Sequence, residues 1–243
     1  MIGTGEARPH RAGSRRQFDR WSTILLLVGC LASFWSLPVR AAEPATVTFS
    51  LDFPHSDPER YSIAVQSDGH ARYECSAKIS DDSDDSDDRE TYQTEFTLSA
   101  ATRARIFDLA AQAHYFSGKI DSGNRKLAFT GAKKLTYKDV QRESSTAYNF
   151  SSLVPVQQLT TLFQSVSATL EFGRRLAHDH RYQKLALDEE LKRMEEQSRQ
   201  GDLIELQAVK PVLQEIYEDN SVMNMVRARA QRIIEMGNAP ASR

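Results

Sequence analysis

The chain has 243 residues, 40% hydrophobic and 26% charged, with a formal net charge of −2 at neutral pH. This apolar content is too high for a disordered protein, and the length fits one ordinary domain with an appendage or two small domains. Without residues 1–41, 202 residues remain with 25 basic and 31 acidic side chains. That acidic balance argues against nucleic acid or anionic lipid as the main partner.

Residues 1–41 have the composition of an export signal. Five arginines precede an apolar run over residues 21–37, and short side chains follow as far as Ala41 and Ala42. A basic region, an apolar region and small residues at a cleavage site are typical of a secretory signal peptide. We therefore predict cleavage between Ala41 and Ala42 and a bacterial protein that is periplasmic or extracellular.

Three other interpretations of the leader stay open. Residues 14–20, SRRQFDR, resemble the box of twin-arginine signals except at Asp19, and that route implies folding before export. Residues 27–30 resemble a lipobox that ends in Cys30, although residues 31–37 stay apolar where a polar tether is expected. The leader could also remain as an anchor, since its apolar run is near the minimum of about 17 residues for a membrane span.

From Thr46 the sequence alternates between apolar and polar residues, as half-buried strands do. Val47, Phe49, Leu51 and Phe53 share one face of the first predicted strand. A second strand covers residues 61–65, and a third returns from the Asp68–Gly69 hairpin turn to about residue 79. Residues 91–98 form another strand, after the acidic run of residues 80–88.

The pattern then changes to helices and shorter strands. Ser99 is a predicted N-cap of a helix that ends near Gly118. Short strands are predicted over residues 126–129, 132–137 and 140–148, and a helix opens at Pro155. We predict an α+β domain over residues 42–172, with an antiparallel sheet and helices on one face, in the order ββ-β-α-βββ-α.

Residues 173–243 are predicted to form an all-α C-terminal segment. Two apolar stripes at helical spacing would face each other in a helical hairpin, with Arg229 on its outer side. The stripes comprise Leu203, Leu206, Val209, Leu213 and Ile216, and Val222, Val226, Ala230 and Ile233. Residues 219–230 resemble the D-x-x-V-R-x-x-A pattern of HEAT-type repeats, through Val226, Arg227 and Ala230. A single repeat cannot form a solenoid, so this resemblance implies a contact surface at most.

Residues 46–170 resemble uncharacterised exported bacterial α+β domains. The similarity lies in a strand, Asp-Gly turn and strand over residues 62–73, and in a strand-to-helix step over residues 97–107. This resemblance implies an exported α+β fold and carries no assigned activity.

The acidic run offers weak candidate metal ligands, Asp82, Asp84, Asp85 and Asp88. Calcium takes six to eight oxygen ligands, but the run lacks the glycine and the closing glutamate of an EF-hand loop. Such a run repels itself, so we favour a solvated loop over a calcium site. His178 and His180 diverge if they lie on a helix, which argues against a zinc site.

No catalytic motif is present in the sequence. G-x-S-x-G and phosphate-binding glycine loops are missing, and Cys75 alternates with Tyr73 and Ala77 as a buried strand residue would. We predict no catalytic residue, no cofactor and no nucleic-acid partner, and no membrane contact unless Cys30 is lipidated or the leader is retained. We favour an exported, non-enzymatic protein that binds another protein. The alternatives are a hydrolase-type enzyme whose site assembles from distant residues and a weak calcium binder.

Overall fold

A computed structural model describes residues 43–54, 56–78, 89–124 and 126–238. The leader, with Cys30, Ala41 and Ala42, lies outside the described residues. The same holds for the acidic run with Asp82, Asp84, Asp85 and Asp88. The predictions made for these two segments therefore stay predictions.

In the described part of the chain, six antiparallel strands form one sheet in the order β4-β3-β2-β1-β5-β6. The strands are β1 (Thr46–Asp52), β2 (Arg60–Gln66), β3 (His70–Lys78), β4 (Arg89–Thr97), β5 (Ala132–Lys138) and β6 (Glu143–Tyr148). Alternation decides which face is buried: Val47, Phe49 and Ile63 are fully buried, whereas their polar neighbours Ser50 and Ser62 lie on the opposite, solvated face.

The helices are α1 (Ala100–Gln112), α2 (Val154–Tyr182), α3 (Leu187–Gln200), α4 (Lys210–Glu218) and α5 (Asn224–Asn238). Short 3-10 turns lie at His114–Phe116 and Leu206–Val209. Ser99 caps α1 as predicted, because its hydroxyl accepts a hydrogen bond from the backbone N–H of Thr102 at 3.2 Å. The α+β class with an antiparallel sheet and a helical C-terminal segment is confirmed.

The order of elements differs from the predicted one. In the described residues, the four strands predicted before α1 are present, one more than the order ββ-β-α-βββ-α counts, and two of the three strands predicted after it form. Residues 126–129 are not a strand, since they belong to a loop held by side chains from the end of β6. Residues 139–142 form the β5–β6 turn, in which the Asp139 carboxylate accepts from the N–H of Gln141.

The inner face of the sheet packs against α2, which crosses it from β6 towards β3. Tyr148 of β6 bonds Thr160, Phe49 of β1 stacks on Phe163 at 5.3 Å, and Tyr73 of β3 bonds Glu171. Further along α2, a Cβ at Gly173 would lie 2.5 Å from Val209. Glycine therefore lets the C-terminal helical segment pack closely against α2. The boundary predicted at residues 172/173, between the α+β domain and the C-terminal segment, stays a prediction.

The two C-terminal helices pack as a hairpin. Leu213 and Ile216 of α4 and Val226, Ala230 and Ile233 of α5 are all fully buried. Arg229, expected on the outer side, is largely buried and bonded to Glu195 at 2.9 Å, so that expectation was wrong. The sequence pattern missed this because the carboxylate that draws Arg229 inward lies on a separate helix, α3.

Candidate functional site

One buried polar cluster lies between β3 and α2. Residues 163, 167 and 171 lie on one stripe of α2, so Glu171 lies on the buried face of this helix. Its carboxylate accepts hydrogen bonds from the Tyr73 hydroxyl at 2.7 Å and from the Cys75 thiol at 3.3 Å. The Arg174 guanidinium donates to its other oxygen at 2.8 Å and also lies 3.7 Å from Asp57. Both carboxylate oxygens of Glu171 are thus hydrogen-bonded within the protein.

The pKa values of the groups in this cluster favour a structural role over a catalytic one. Burial, together with the nearby Glu171 carboxylate, raises the pKa of the Cys75 thiol to about 12. The same two causes raise the pKa of the Tyr73 hydroxyl far above its ordinary value. Both groups are therefore protonated donors at neutral pH, and a protonated thiol is a poor nucleophile. The prediction that Cys75 is a buried side chain is confirmed.

A second buried carboxylate, that of Glu195, joins two of the C-terminal helices. Glu195 of α3 accepts from Arg229 and Arg232 of α5, at 2.9 and 2.8 Å, and from Arg199 at 2.5 Å. These guanidinium groups, Arg232 first, lower the pKa of the Glu195 carboxyl. Each charge has its partner inside the cluster, so we assign the cluster to packing.

The two candidate histidines do not form a metal site. Both lie on α2, where side chains two residues apart diverge. His178 lies against the Tyr182 ring, whereas the His180 imidazole lies 3.0 Å from the Asp219 carboxylate. Lys184 also bonds Asp219, and these contacts lower the pKa of its carboxyl strongly. Within the described ranges no group of three or more metal-ligating side chains comes together.

The feature that stands out on the surface is a set of exposed aromatic rings at one end of the sheet, which we call the aromatic rim. It consists of Phe53, Phe129 and Phe150, which are 36%, 58% and 42% exposed. Phe53 follows the end of β1, Phe129 precedes β5, and Phe150 follows the end of β6. The antiparallel register brings these three positions to the same end, where the rings of Phe53 and Phe129 meet edge to face at 6.0 Å.

Hydrogen bonds hold the backbone beneath the aromatic rim. The Asn149 side chain accepts from the N–H of Thr130 and donates to the carbonyl of Ala128, both at 3.0 Å. The Lys133 ammonium donates to the carbonyl oxygens of Thr130 and Asn149, each at 3.0 Å. Residues 128–130 are thereby tied to the end of β6, so Phe129 and Phe150 are presented from neighbouring, fixed backbone.

Lys133 is itself unusual. Its side chain lies on the buried face beside Leu135 and Tyr137, and the residue is only 5% exposed. Burial lowers the pKa of Lys133, and the partners of its ammonium among the described residues are carbonyl and hydroxyl oxygens, not carboxylates.

Neither Lys133 nor the aromatic rim was predicted from the sequence. Alternation along β5 places Lys133 on the apolar face, and this signal could have identified it. Phe53 was expected to continue the buried face of β1, and Phe129 was assigned to a strand. Both phenylalanines lie beyond the ends of the paired strands, and the local sequence pattern does not show where strand pairing ends.

Comparison with known proteins gives no assignment. A scan against models of protein families and a search of curated proteins each found no match. Among the described residues, no helix combines the length and the apolar character required to cross a membrane.

Proposed function

We propose that the protein is exported to the bacterial envelope or periplasm and acts there, without catalysing a reaction, by binding another protein through the aromatic rim. The observation that carries the proposal is the exposure of three phenylalanine rings on hydrogen-bonded backbone. Aromatic side chains supply large contact area and are enriched at the centres of protein interfaces. Because the backbone that carries these rings is already hydrogen-bonded, less backbone freedom is lost on binding.

The hydrolase interpretation has weaker support. The buried thiol and phenol of the Glu171 cluster are both protonated at neutral pH, and the carboxylate that could act as a base is bonded to Arg174. The calcium interpretation depends on residues 81–88, which lie outside the described part of the chain.

Site-specific photocrosslinking tests the proposal. A photoreactive amino acid in place of Phe129 would be compared, in the native host, with the same amino acid in place of Gln200. Gln200 is an exposed residue at the end of α3. We expect a discrete adduct with one protein from position 129 and none from position 200.

The proposal fails if position 129 gives no adduct, or if both positions give the same adducts. In either case the aromatic rim would not be a specific contact surface. Thermal unfolding of both substituted proteins controls for misfolding, since each change affects a solvent-exposed side chain.

A further inference from the structure

The segment that joins α3 to α4 runs across other elements of the fold, and we call residues 201–209 the strap. On one side, the hydroxyl of Thr169 on α2 donates a hydrogen bond to the carbonyl of Ile204 at 2.7 Å. On the other side, the Gln207 amide donates to the carbonyl of Gly237 near the end of α5. The strap therefore contacts both α2 and the end of the C-terminal hairpin.

The first turn of α1 has only half of a capping box of its own. In a complete box, the N-cap serine bonds the N–H of the residue three positions later, and a Glu or Gln there bonds the N–H of the serine in return. Ser99 makes the first of these bonds, with Thr102, but a threonine cannot make the second as a Glu or Gln does. The Glu205 carboxylate of the strap makes it instead, since it accepts from the N–H of Ser99 at 2.8 Å.

Two hydroxyl groups of α1 hold the same carboxylate. The hydroxyl of Ser99 donates to Glu205 at 2.7 Å, and that of Thr102 donates to it at 2.5 Å. Three donors at the start of α1 thus converge on a side chain that follows more than 100 residues later in the sequence. The partial positive charge at the N-terminus of a helix favours an anion at this place.

The backbone of Glu205 is held in an unfavourable conformation. Its φ and ψ of 59° and 39° lie in the left-handed region, where a residue with a Cβ is disfavoured. Such a residue persists only where its surroundings fix it, as the three donors of α1 do here. Gly201, four residues earlier, is also left-handed, at φ +81°, but without this penalty. Without the bonds to α1, the strap would therefore relax to another path.

We propose that Glu205 is a latch, which closes the strap on α1 by completing its capping box and whose release frees the strap while the sheet stays folded. Release uncovers Leu203 and Ile204, which pack against the core in the closed form. The latch couples the first turn of α1 to the end of α5. It is separate from the aromatic rim, because Ser99 follows the end of β4 at the opposite end of the sheet.

Moving the carboxylate into α1 itself tests the latch, with amide hydrogen exchange of the full chain as the measurement. Thr102→Glu gives α1 a complete capping box, so the new side chain competes with Glu205 for the N–H of Ser99. We expect residues 203–209 to exchange about tenfold faster, while exchange in α1 stays the same or slows and exchange in β1 and β2 is unchanged. Glu205→Ala should loosen the strap to the same extent, and combining the two changes should add little. Glu215→Ala, at an exposed position of α4, is the control and should change nothing.

Other outcomes overturn the latch. Wild-type exchange of the strap in Thr102→Glu, or fully additive effects of the two changes, would show that the two carboxylates do not compete. Faster exchange of strap and sheet together would show that the strap does not open by itself. If Thr102→Glu does not fold, Glu205→Ala decides alone, and exchange equal to that of Glu215→Ala refutes the latch. Crosslinking from position 129 tests the proposed function separately.

Discussion

At the scale of single residues, the described structure treats its buried charges in two ways. Glu171 and Glu195 are each bonded to guanidinium groups, whereas Lys133 donates to neutral oxygens. A buried charge requires either a counter-charge or several oriented dipoles. The first arrangement joins helices and strands, and the second fixes the loop that presents Phe129.

Replacing Lys133 by Met should loosen the aromatic rim. The carbonyl groups of Thr130 and Asn149 would lose their donor, at a cost of about 1–2 kcal/mol in unfolding free energy. We also expect faster amide exchange at residues 127–131. Lys134→Met is the matched control, because that side chain is exposed and makes no such bonds. Unchanged exchange at residues 127–131 in Lys133→Met would refute the positioning role.

Glu171→Gln tests the cluster between β3 and α2. The amide keeps an acceptor for Tyr73, but Arg174 loses its closest charge partner, and breaking a buried pair costs about 3 kcal/mol. Denaturant unfolding should show this loss in the midpoint without a change in slope. Replacing the exposed Glu189 by Gln should lower the unfolding free energy by less than about 0.5 kcal/mol. An equal effect of the two changes would mean that the cluster contributes nothing specific.

At the scale of elements, the fold depends on the one apolar stripe that each helix packs against the core. The fully buried Val226 faces the α4 residues Leu213 and Ile216 within one apolar cluster. Val226→Asp would place an unpaired carboxylate there, so we expect a loss of several kcal/mol or a large rise in the pKa of the new carboxyl. Ala228→Asp, on the exposed side of the same helix, should leave the melting temperature nearly unchanged. If Val226→Asp also melts normally, the hairpin is not packed in solution.

The attachment of α5 to α3 should weaken in acid. The arginines around Glu195 hold the pKa of its carboxyl below its ordinary value, so the unfolded chain binds a proton more readily than the folded one. The stabilisation is therefore complete above the unfolded pKa of about 4.3 and is lost as the pH falls through the lower, folded value. Between about pH 6 and pH 3, the melting temperature should fall more steeply with decreasing pH for the wild type than for Glu195→Gln. Exposed Glu196, changed to Gln, should retain the wild-type slope.

At the scale of the whole molecule, the described chain begins and ends at one end of the sheet, and the aromatic rim lies at the other. Thr46 begins β1 opposite Gln66 and Lys138, whereas Phe53 follows its far end. Glu205, bonded to Ser99 after the end of β4, lies two residues before Gln207, which contacts Gly237 near the end of α5. A tag at the C-terminus therefore leaves the rim open for the binding experiments.

Local pattern predicted the sheet and the buried stripes, because alternation and helical spacing report directly which side chains meet the core. The buried Cys75 and the Ser99 cap followed from single positions and their neighbours. Contacts between distant residues did not follow: Glu171 with Tyr73, Arg229 with Glu195, and Asn149 with Ala128 join separate elements. The aromatic rim was missed for the same reason, since it forms only when the ends of three strands are brought together.

The export prediction concerns the chain before it folds and is tested at its N-terminus. Cleavage after Ala41 requires the apolar run to be recognised and the small residues to fit the peptidase. Mass spectrometry of the protein from its native host should therefore give Ala42 as the first residue. Lipidated Cys30 would select the lipoprotein route, and loss of export on replacing Arg15 and Arg16 by Lys would select the twin-arginine route. Intact Met1 in a soluble cytoplasmic fraction would refute export, and the partner of the aromatic rim would then have to be sought inside the cell.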